Sequence, residues 1–201
     1  MSKGVKTRQR IVAEAATLFN QRGFEGSSMA DLMEATGLEK GGIYRHFSSK
    51  EDLAATAFDF AWQATTYVRM HDLDSVPNSV DKLKRFMANF VERRPSVPGG
   101  CPLLNTAIEA DDGNPLLRER ARRALHQWQD ILSEIINVGL ERKEIRSAID
   151  PKKLATLIIG SLEGALMICR LERNREALVE AQAHLGSYLD SEVKAIQRKK
   201  N

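Results

Sequence analysis

The residue types best suited to chemistry lie in one short basic run of this sequence. The run contains Lys40, Gly41, Gly42, Tyr44, Arg45, His46 and, just beyond, Lys50. Each glycine costs roughly 1 kcal/mol against alanine inside a helix, so something other than local stability favours the pair. Close approach of the backbone to a phosphate or a base edge is one such reason, and the neighbouring side chains supply hydrogen-bond donors. The run therefore predicts contact with a nucleic acid.

Two short helices joined by a tight turn are predicted to position this run. Ser28 is a good N-cap and Asp31 completes an approximate capping box, so a helix begins there. Gly37 ends that helix, because glycine adopts positive φ without a steric penalty. A second helix, the recognition helix, is predicted over about residues 39–47. This order is typical of a helix-turn-helix element.

Taken singly, each feature also has an ordinary structural explanation. A glycine pair is usually a loop, Tyr44 fits a core position and Lys50 fits a solvated surface. The combination is more specific, because helix, glycine turn, basic short helix and a Ser48-x-x-Glu51 capping box follow one another between residues 27 and 53. We therefore predict a DNA-binding surface in this segment.

About a quarter of the chain also resembles a known family. The resemblance runs from Thr7 to Leu53 and rests on Thr7 and Ile11, Phe19, Gly23-Phe24, Ser28-Met29-Ala30, Gly37-Leu38, Gly42-Ile43-Tyr44-Arg45-His46-Phe47 and Lys50-Glu51-Asp52-Leu53. The segment is similar to the N-terminal domain of the TetR family of transcriptional regulators. The resemblance implies contacts to operator phosphates and base edges for Gly41, Gly42, Tyr44, His46 and Lys50. The full predicted DNA-binding set is Thr7, Ser28, Met29, Ala30, Lys40, Gly41, Gly42, Tyr44, Arg45, His46 and Lys50.

Composition and charge fit an intracellular regulator. The chain has 201 residues and two cysteines, and its first residues, MSKGVKTRQR, contain no apolar run that could act as a signal peptide. A cytoplasmic location is therefore expected. Residues 1–50 hold eight basic and five acidic residues, whereas the remainder holds 22 of each. The net positive charge thus falls where DNA binding is predicted, which supports attraction to phosphates.

Helices are predicted throughout, since no segment alternates convincingly with a period of two. The predicted fold is all-α, with a three-helix helix-turn-helix domain over residues 1–50 and a helical effector-binding and dimerisation domain over residues 51–201. Outside the helix-turn-helix, helices are expected at about residues 7–22, 49–70, 79–92, 103–110, from 115 onward, 151–170 and 174–197.

The late apolar helix is predicted to be hidden on more than one side. Its core, LATLIIGSLEGALMIC, has eleven apolar residues in sixteen, which is more than one buried face requires. A membrane span needs about 20 predominantly apolar residues. Gly160, Ser161, Glu163 and Gly164 interrupt this segment, so no membrane association is expected.

The last two helices instead predict a homodimer. They can pair with a second copy as a four-helix interface, and the alternative is a monomeric hairpin folded onto its own core. A dimer is favoured because a single reading helix covers too few base pairs to be selective. The predicted interface residues are Ile158, Leu162, Ala165, Leu185 and Leu189.

Aromatic residues and methionines gather in the middle and late helices, where they can form either a core or a ligand pocket. The TetR resemblance implies that the C-terminal part binds a small effector, which alters the spacing of two reading helices. We expect this effector to be apolar or amphipathic. The predicted effector-contacting residues are Trp62, Tyr67, Met70, Phe86, Phe90, Cys101, Leu104, Trp128 and Met167.

Cys101 supports a second hypothesis for regulation. It follows Pro98-Gly99-Gly100 at a loop-to-helix junction, where the helix dipole can favour a thiolate. Some TetR-like regulators sense electrophiles through a cysteine in this region, so an electrophile- or redox-sensing regulator is an alternative. The structural alternative is a small apolar residue that covers the core. Cys169, within the apolar helix, is expected to serve packing.

Patterns typical of catalysis or metal binding do not occur in the sequence. The four histidines are scattered, no Cys or His pair has ligand spacing, and neither a P-loop nor a G-x-S-x-G pattern is found. No metal, cofactor or enzymatic activity is therefore expected. Glu109, Asp111 and Asp112 are assigned to the turn before Asn114-Pro115 rather than to acid/base chemistry.

These features together predict a homodimeric transcriptional repressor that binds a twofold double-stranded operator. A small molecule is predicted to lower its affinity for that operator. The alternatives from other classes are a helical enzyme with a DNA-binding-like head and a DNA-binding protein without a ligand. The last of these predicts no cavity among the middle helices.

Overall fold

The structure, a computed structural model, describes residues 2–196 as helices joined by turns and short loops. The α-helices in this range are α1 (Lys3–Arg22), α2 (Met29–Thr36), α3 (Lys40–Tyr44), α4 (Lys50–Arg69), α5 (Ser79–Glu92), α6 (Pro102–Glu109), α7 (Pro115–Glu141), α8 (Pro151–Glu172) and α9 (Glu176–Tyr188). A 3₁₀ turn, Leu73–Ser75, precedes α5, and a π-helical turn, Leu189–Val193, follows α9. The prediction of an all-α fold is confirmed.

The chain divides into two compact units. The first unit contains the chain up to Tyr67 together with Pro95–Leu125, and the second contains Val68–Arg94 together with the chain from His126 onward. Two of the three divisions fall within α4 and α7, and the third falls in the loop after α5. The compact units therefore do not separate at residue 50, because α4, α6 and the start of α7 belong to the same unit as the helix-turn-helix.

An apolar core holds the three N-terminal helices of the first unit together. Ile11, Leu32, Ile43 and Leu53 are almost completely buried in it. Burying one such side chain contributes roughly 1.5–3 kcal/mol relative to leaving it exposed. Because α3 has five residues, its position depends on these packed side chains and not on intrinsic helix stability.

The second unit has a core of aromatic and aliphatic side chains from α5, α7 and α8. Trp128 lies fully buried, with the rings of Phe86 and Phe90 against it at centroid distances of 5.9 and 6.1 Å. The buried Arg69 donates to the carbonyl oxygens of Asn89 and Phe90, at 2.9 Å each, while the Asn89 amide donates to the Arg69 carbonyl oxygen. The ends of α4 and α5 are thereby tied together inside this unit.

Local capping moves several helix ends from their predicted positions. The α1 helix begins at Lys3 rather than near Thr7, because the Ser2 side chain caps it. The predicted Ser48-x-x-Glu51 box does not form. Instead, the Ser49 hydroxyl accepts from the Asp52 amide, and the Asp52 carboxylate accepts from Ser48.

The recognition helix and the last helix are also shorter than predicted. The α3 helix covers residues 40–44 of the predicted 39–47. The last helix was predicted over residues 174–197, but α9 ends at Tyr188 and the π-helical turn follows it. The amide of Arg146 then donates to the Val193 carbonyl oxygen at 2.9 Å, which holds the segment after that turn. Gln197 lies outside the described residues.

Candidate DNA-binding surface and effector unit

The turn into α2 is held by a complete capping box. The Ser28 hydroxyl accepts from the Asp31 amide at 3.1 Å, and the Asp31 carboxylate accepts from the Ser28 amide at 2.7 Å. The Ser28 hydroxyl and amide are the main cause of a lowered pKa at Asp31. Gly37 then ends α2 in the left-handed region at φ 63°. The predicted start and stop of α2 are both confirmed.

Ser28→Ala should destabilise the protein by about 1 kcal/mol, because the Asp31 amide loses its acceptor, whereas Ser28→Gly should cost only a few tenths. A lowered carboxyl pKa adds stability above the unfolded pKa of about 3.9, and this stability is lost as the pH falls through the folded value. The alanine variant should therefore show a weaker loss of stability on acidification. Urea denaturation at several pH values measures both effects. Equal losses for alanine and glycine would contradict the capping role.

Burial of two α3-region side chains leaves the rest of the recognition run on the surface. Ile43 and Phe47 are buried, which anchors the helix to the core. Lys40, Gly41, Tyr44 and Arg45 are exposed, and Gly42, His46 and Lys50 are partly exposed. Of the other residues in the predicted DNA-binding set, Ser28 and Ala30 are exposed, and Thr7 and Met29 are half-buried.

Gly41 has no packing reason to be glycine. A Cβ atom at this position meets nothing within 4 Å, and at Gly42 it meets Leu38 at an ordinary 3.6 Å. The fold would therefore accept alanine at Gly41, which has higher helix propensity. An exposed glycine that the fold does not require is what close approach of an external backbone or base edge would favour.

Lys50 differs from the other predicted contacts, because its amino group already has an acceptor. Its Nζ atom donates to the Phe24 carbonyl oxygen at 2.6 Å and lies 4.1 Å from the centroid of the Phe24 ring. Lys50 thus braces the turn between α1 and α2. A role for it in DNA contact stays a prediction.

Three exposed basic residues near the start of α1 are absent from the predicted DNA-binding set. Lys3, Lys6 and Arg10 are exposed, and the first turn of α1 has no acidic residue. Positive charge near a helix N-terminus is unfavourable for the helix dipole. Basic side chains at this unfavourable position indicate a nucleic-acid contact, because a negatively charged partner would stabilise them.

A partly buried amide network joins α6 and the loop before it to the end of α1. The Asn105 amide donates to the Asn20 carbonyl oxygen and to the Gly99 carbonyl oxygen, at 2.9 Å each. The Asn20 amide in turn donates to the carbonyl oxygens of Pro98 and Gly100, at 2.8 and 3.2 Å. We call this network the α1–α6 clasp. It fixes residues 98–105 against the helix that precedes the helix-turn-helix.

Glu109 extends the same contact to the turn after α1. Its carboxylate accepts from the amides of Phe24 and Glu25, at 2.9 Å each. A Cβ atom at Gly23, where φ is 81°, would lie 2.5 Å from that carboxylate. The interpretation of Glu109 as a residue of the following turn is therefore wrong, because its carboxylate caps the α1–α2 turn instead.

The predicted effector residues are divided between the two units. Trp62, Tyr67, Cys101 and Leu104 belong to the first unit, whereas Met70, Phe86, Phe90, Trp128 and Met167 belong to the second. The second-unit aromatics are packed as core, as described above. Tyr67 and Met167 are exposed, and Cys101 is buried at the N-cap of α6. Contact of these nine residues with an effector stays a prediction.

A groove of about 690 Å³ is present in the second unit and includes one predicted effector residue, Met70. Its walls are formed by α7, by the 3₁₀ turn and by the first turn of α5. Its lining is Met70, Leu73, Asp74, Ser79, Lys82, Asp130, Ile131, Glu134, Ile135, Val138 and Arg142. Five of these side chains are charged, and most of the others are apolar.

The predicted dimer residues lie inside the single chain. Ile158, Leu162, Ala165, Leu185 and Leu189 are at most 6% exposed. They pack in the core, because each lies on the inward face of its helix. These five residues are therefore corrected from interface to core.

A different face of α8 and α9 is apolar and open. On α8 the exposed apolar side chains are Leu157, Met167, Ile168 and Leu171, and on α9 the exposed one is Val179. Gly160, Gly164 and Gly186 face open space, since a Cβ at any of them meets nothing within 4 Å. The α8 helix is also long and apolar enough to cross a membrane, although it packs against α9 with its other face buried.

Helices throughout the described residues, with a capped α2 followed by an exposed recognition helix, define the class of helix-turn-helix transcriptional regulators. The family profile of bacterial regulatory proteins of the tetR family matches residues 11–57, and that of the Tetracyclin repressor-like C-terminal domain matches residues 79–185. The chain belongs to the TetR family.

Individual relatives agree with this assignment over nearly the whole chain. The HTH-type transcriptional repressor DhaR of Mycobacterium sp. (strain GP1) is 31% identical, over 85% of this chain and 86% of its own. A crystal structure of a TetR transcriptional regulator from Chloroflexus aurantiacus J-10-FL is 44% identical with a TM-score of 0.93, over 98% of this chain and all of that one. The reduced form of Escherichia coli NemR, 22% identical over 94% of this chain and 97% of its own, shares the fold with a TM-score of 0.79.

Proposed function

We propose that this regulator is a cytoplasmic, homodimeric repressor without enzymatic activity, which binds a twofold operator and is released by a small-molecule effector. The exposed recognition run is the observation that carries the proposal, above all the glycine at position 41 that the fold does not require. Tyr44, Arg45 and His46 supply donors beside it. The name of the DhaR relative, a transcriptional repressor, supports the sign of regulation.

The proposed operator contacts divide into two kinds. Lys40 and Tyr44, at the exposed side of α3, are proposed to contact phosphates and so fix the register of the helix. Arg45 and His46, together with the open backbone at Gly41, are proposed to approach base edges in the major groove. Lys3, Lys6 and Arg10 on α1 add positive charge that favours binding to any duplex.

A twofold arrangement follows from the size of the reading element. A helix of five residues contacts only a few base pairs, and helix-turn-helix proteins gain selectivity by binding two half-sites about one helical turn apart. The open α8–α9 face is the proposed contact between protomers, since exposed apolar patches rimmed by polar residues mark such interfaces.

Selecting bound duplexes from a random pool should recover a twofold site and thereby test the proposal. On that site, Lys40→Ala and Tyr44→Ala should each weaken binding about tenfold, because each removes a proposed phosphate contact. Lys40→Ala should also reduce the slope of log affinity against log salt by about one. Fluorescence anisotropy measures both quantities.

Tyr67→Ala is the matched control for the tyrosine variant, because Tyr67 is exposed on α4, away from the recognition run. It should bind the operator like the unaltered protein. Equal affinity of all three variants and the unaltered protein would remove α3 as the reading element.

A second candidate regulation acts through Cys101. Its position at the N-cap of α6, next to the α1–α6 clasp, favours this alternative, and the relative NemR was crystallised in a form described as reduced. Modification of a buried thiol there would displace residues that the clasp holds. Mass spectrometry after treatment with N-ethylmaleimide tests whether the thiol reacts, with Cys101→Ser as control. Fluorescence anisotropy on the same samples tests whether operator binding is then lost.

A further inference from the structure

We propose that the groove between the 3₁₀ turn, α5 and α7 binds an amphipathic organic cation, namely a molecule with one protonated or quaternary amine and an apolar body. The inference concerns binding at this groove and rests on the proposed function only for its regulatory meaning. The apolar floor of the groove, the charges that line it and its volume each support the proposal.

The floor of the groove is apolar and only partly covered by the chain. Leu73 is buried, whereas Met70, Ile131, Ile135 and Val138 are each partly exposed. Contiguous exposed apolar surface favours a ligand that can cover it. A cavity of about 690 Å³ lies within the range of roughly 300–1,000 Å³ that holds small ligands.

Three carboxylates line the groove. Asp130 and Glu134 lie one turn apart on α7, so their like charges repel and slightly destabilise the helix. Asp74 of the 3₁₀ turn also lines the groove. None of these three carboxylates forms an ion pair within residues 2–196. A ligand ammonium group beside Asp130 and Glu134 would relieve the repulsion between their carboxylates.

Two positive charges, Lys82 and Arg142, also line the groove, and the Arg142 guanidinium donates to the Pro77 carbonyl oxygen at 3.1 Å. Arg142 follows Glu134 by eight residues, which is about 12 Å along a helix. A cationic head therefore belongs at Asp130 and Glu134, with the apolar body over Ile135 and Val138 and directed toward Arg142.

Three probes with the same ten-carbon tail test the charge preference. These are decyltrimethylammonium, decyl sulfate and the neutral decanoyl-N-methylglucamide, each titrated calorimetrically into the full protein below its micelle concentration. The ammonium compound should bind at least tenfold more tightly than the other two. The double variant Asp130→Asn/Glu134→Gln should lose that preference, and Val138→Trp, which fills the floor, should weaken binding of the ammonium compound at least tenfold.

Glu141→Gln is the matched control, because Glu141 is exposed on α7 but does not line the groove. It should bind the ammonium compound like the unaltered protein. Equal binding of the three probes, or unchanged ammonium binding by both the double variant and Val138→Trp, would overturn the proposal.

Operator binding separates this inference from the proposed function. Ammonium binding that the double variant abolishes supports the groove, whether or not the compound releases DNA. If the compound binds in this way and operator affinity does not change, the effector role fails while the site stands. If the protein binds no operator in the absence of any probe, the proposed function fails and the calorimetric result for the groove is unaffected.

Discussion

The double variant Leu157→Asp/Ile168→Asp should be monomeric and should bind the operator at least about 100-fold more weakly than the unaltered protein. Both side chains are nearly half exposed on the open face of α8, so the substitutions leave the core of the single chain intact. In a twofold dimer they place four carboxylates in an apolar contact, and each unpaired buried charge costs several kcal/mol.

Sedimentation equilibrium and anisotropy on the same samples measure these two losses together. Ile196→Asp is the control, because Ile196 is 80% exposed but lies beyond α9. It should remain dimeric. A double variant that stays dimeric at micromolar concentration, or an unaltered protein that is monomeric with and without DNA, would exclude this face as the interface.

Local signals in the sequence were sufficient to predict the helix-turn-helix. Ser28, Asp31 and Gly37 act through their own and neighbouring backbone groups, so their effect on α2 is visible without the rest of the fold. The same holds for the apolar periodicity that buries Ile11 and Ile43. Short-range physics and a specific family resemblance therefore agree in this segment.

The open apolar face of α8 could not be predicted by counting apolar residues. The α8 helix is apolar on several sides, and periodicity cannot distinguish its buried side from its open side. Ile158 and Leu162 are inward, whereas Leu157 and Ile168 are outward. Gly160 and Gly164 face open space on the outward side. They indicate a proposed helix contact better than apolar residues do, because small residues allow two helices to approach closely.

The predicted effector contacts stay a prediction, and their packing illustrates a related difficulty. Large aromatic side chains in a sequence fit a ligand site as well as a core. Here Phe86, Phe90 and Trp128 fill the core of the second unit with edge-on ring contacts. The groove is lined instead by side chains that belong to no sequence motif, such as Ile131 and Glu134. Their meeting depends on long-range packing of α5 against α7, which no local pattern reports.

Asn105→Leu is expected to lower the free energy of unfolding by about 3 kcal/mol, because leucine removes one of the two amide donors of the α1–α6 clasp and leaves its acceptors unsatisfied. The Asn105 amide serves the Asn20 carbonyl oxygen, the Asn20 side-chain oxygen and the Gly99 carbonyl oxygen, at 2.9, 3.0 and 2.9 Å. A buried acceptor left unsatisfied costs roughly 1–3 kcal/mol. For a chain of this size the loss corresponds to a decrease in Tm of about 6–12 °C.

Gly99→Ala should have a comparable effect by a steric route. The backbone at Gly99 has φ of +111°, which an L side chain rarely adopts, and a Cβ atom there would lie 2.5 Å from the Asn20 carbonyl oxygen. Scanning calorimetry measures both variants, with Asn137→Leu on the exposed side of α7 as the control. Because the clasp holds the helix that precedes the helix-turn-helix, operator affinity should also decrease below the melting transition. A clasp variant that melts and binds like the control would show that α1 is fixed by its apolar contacts alone.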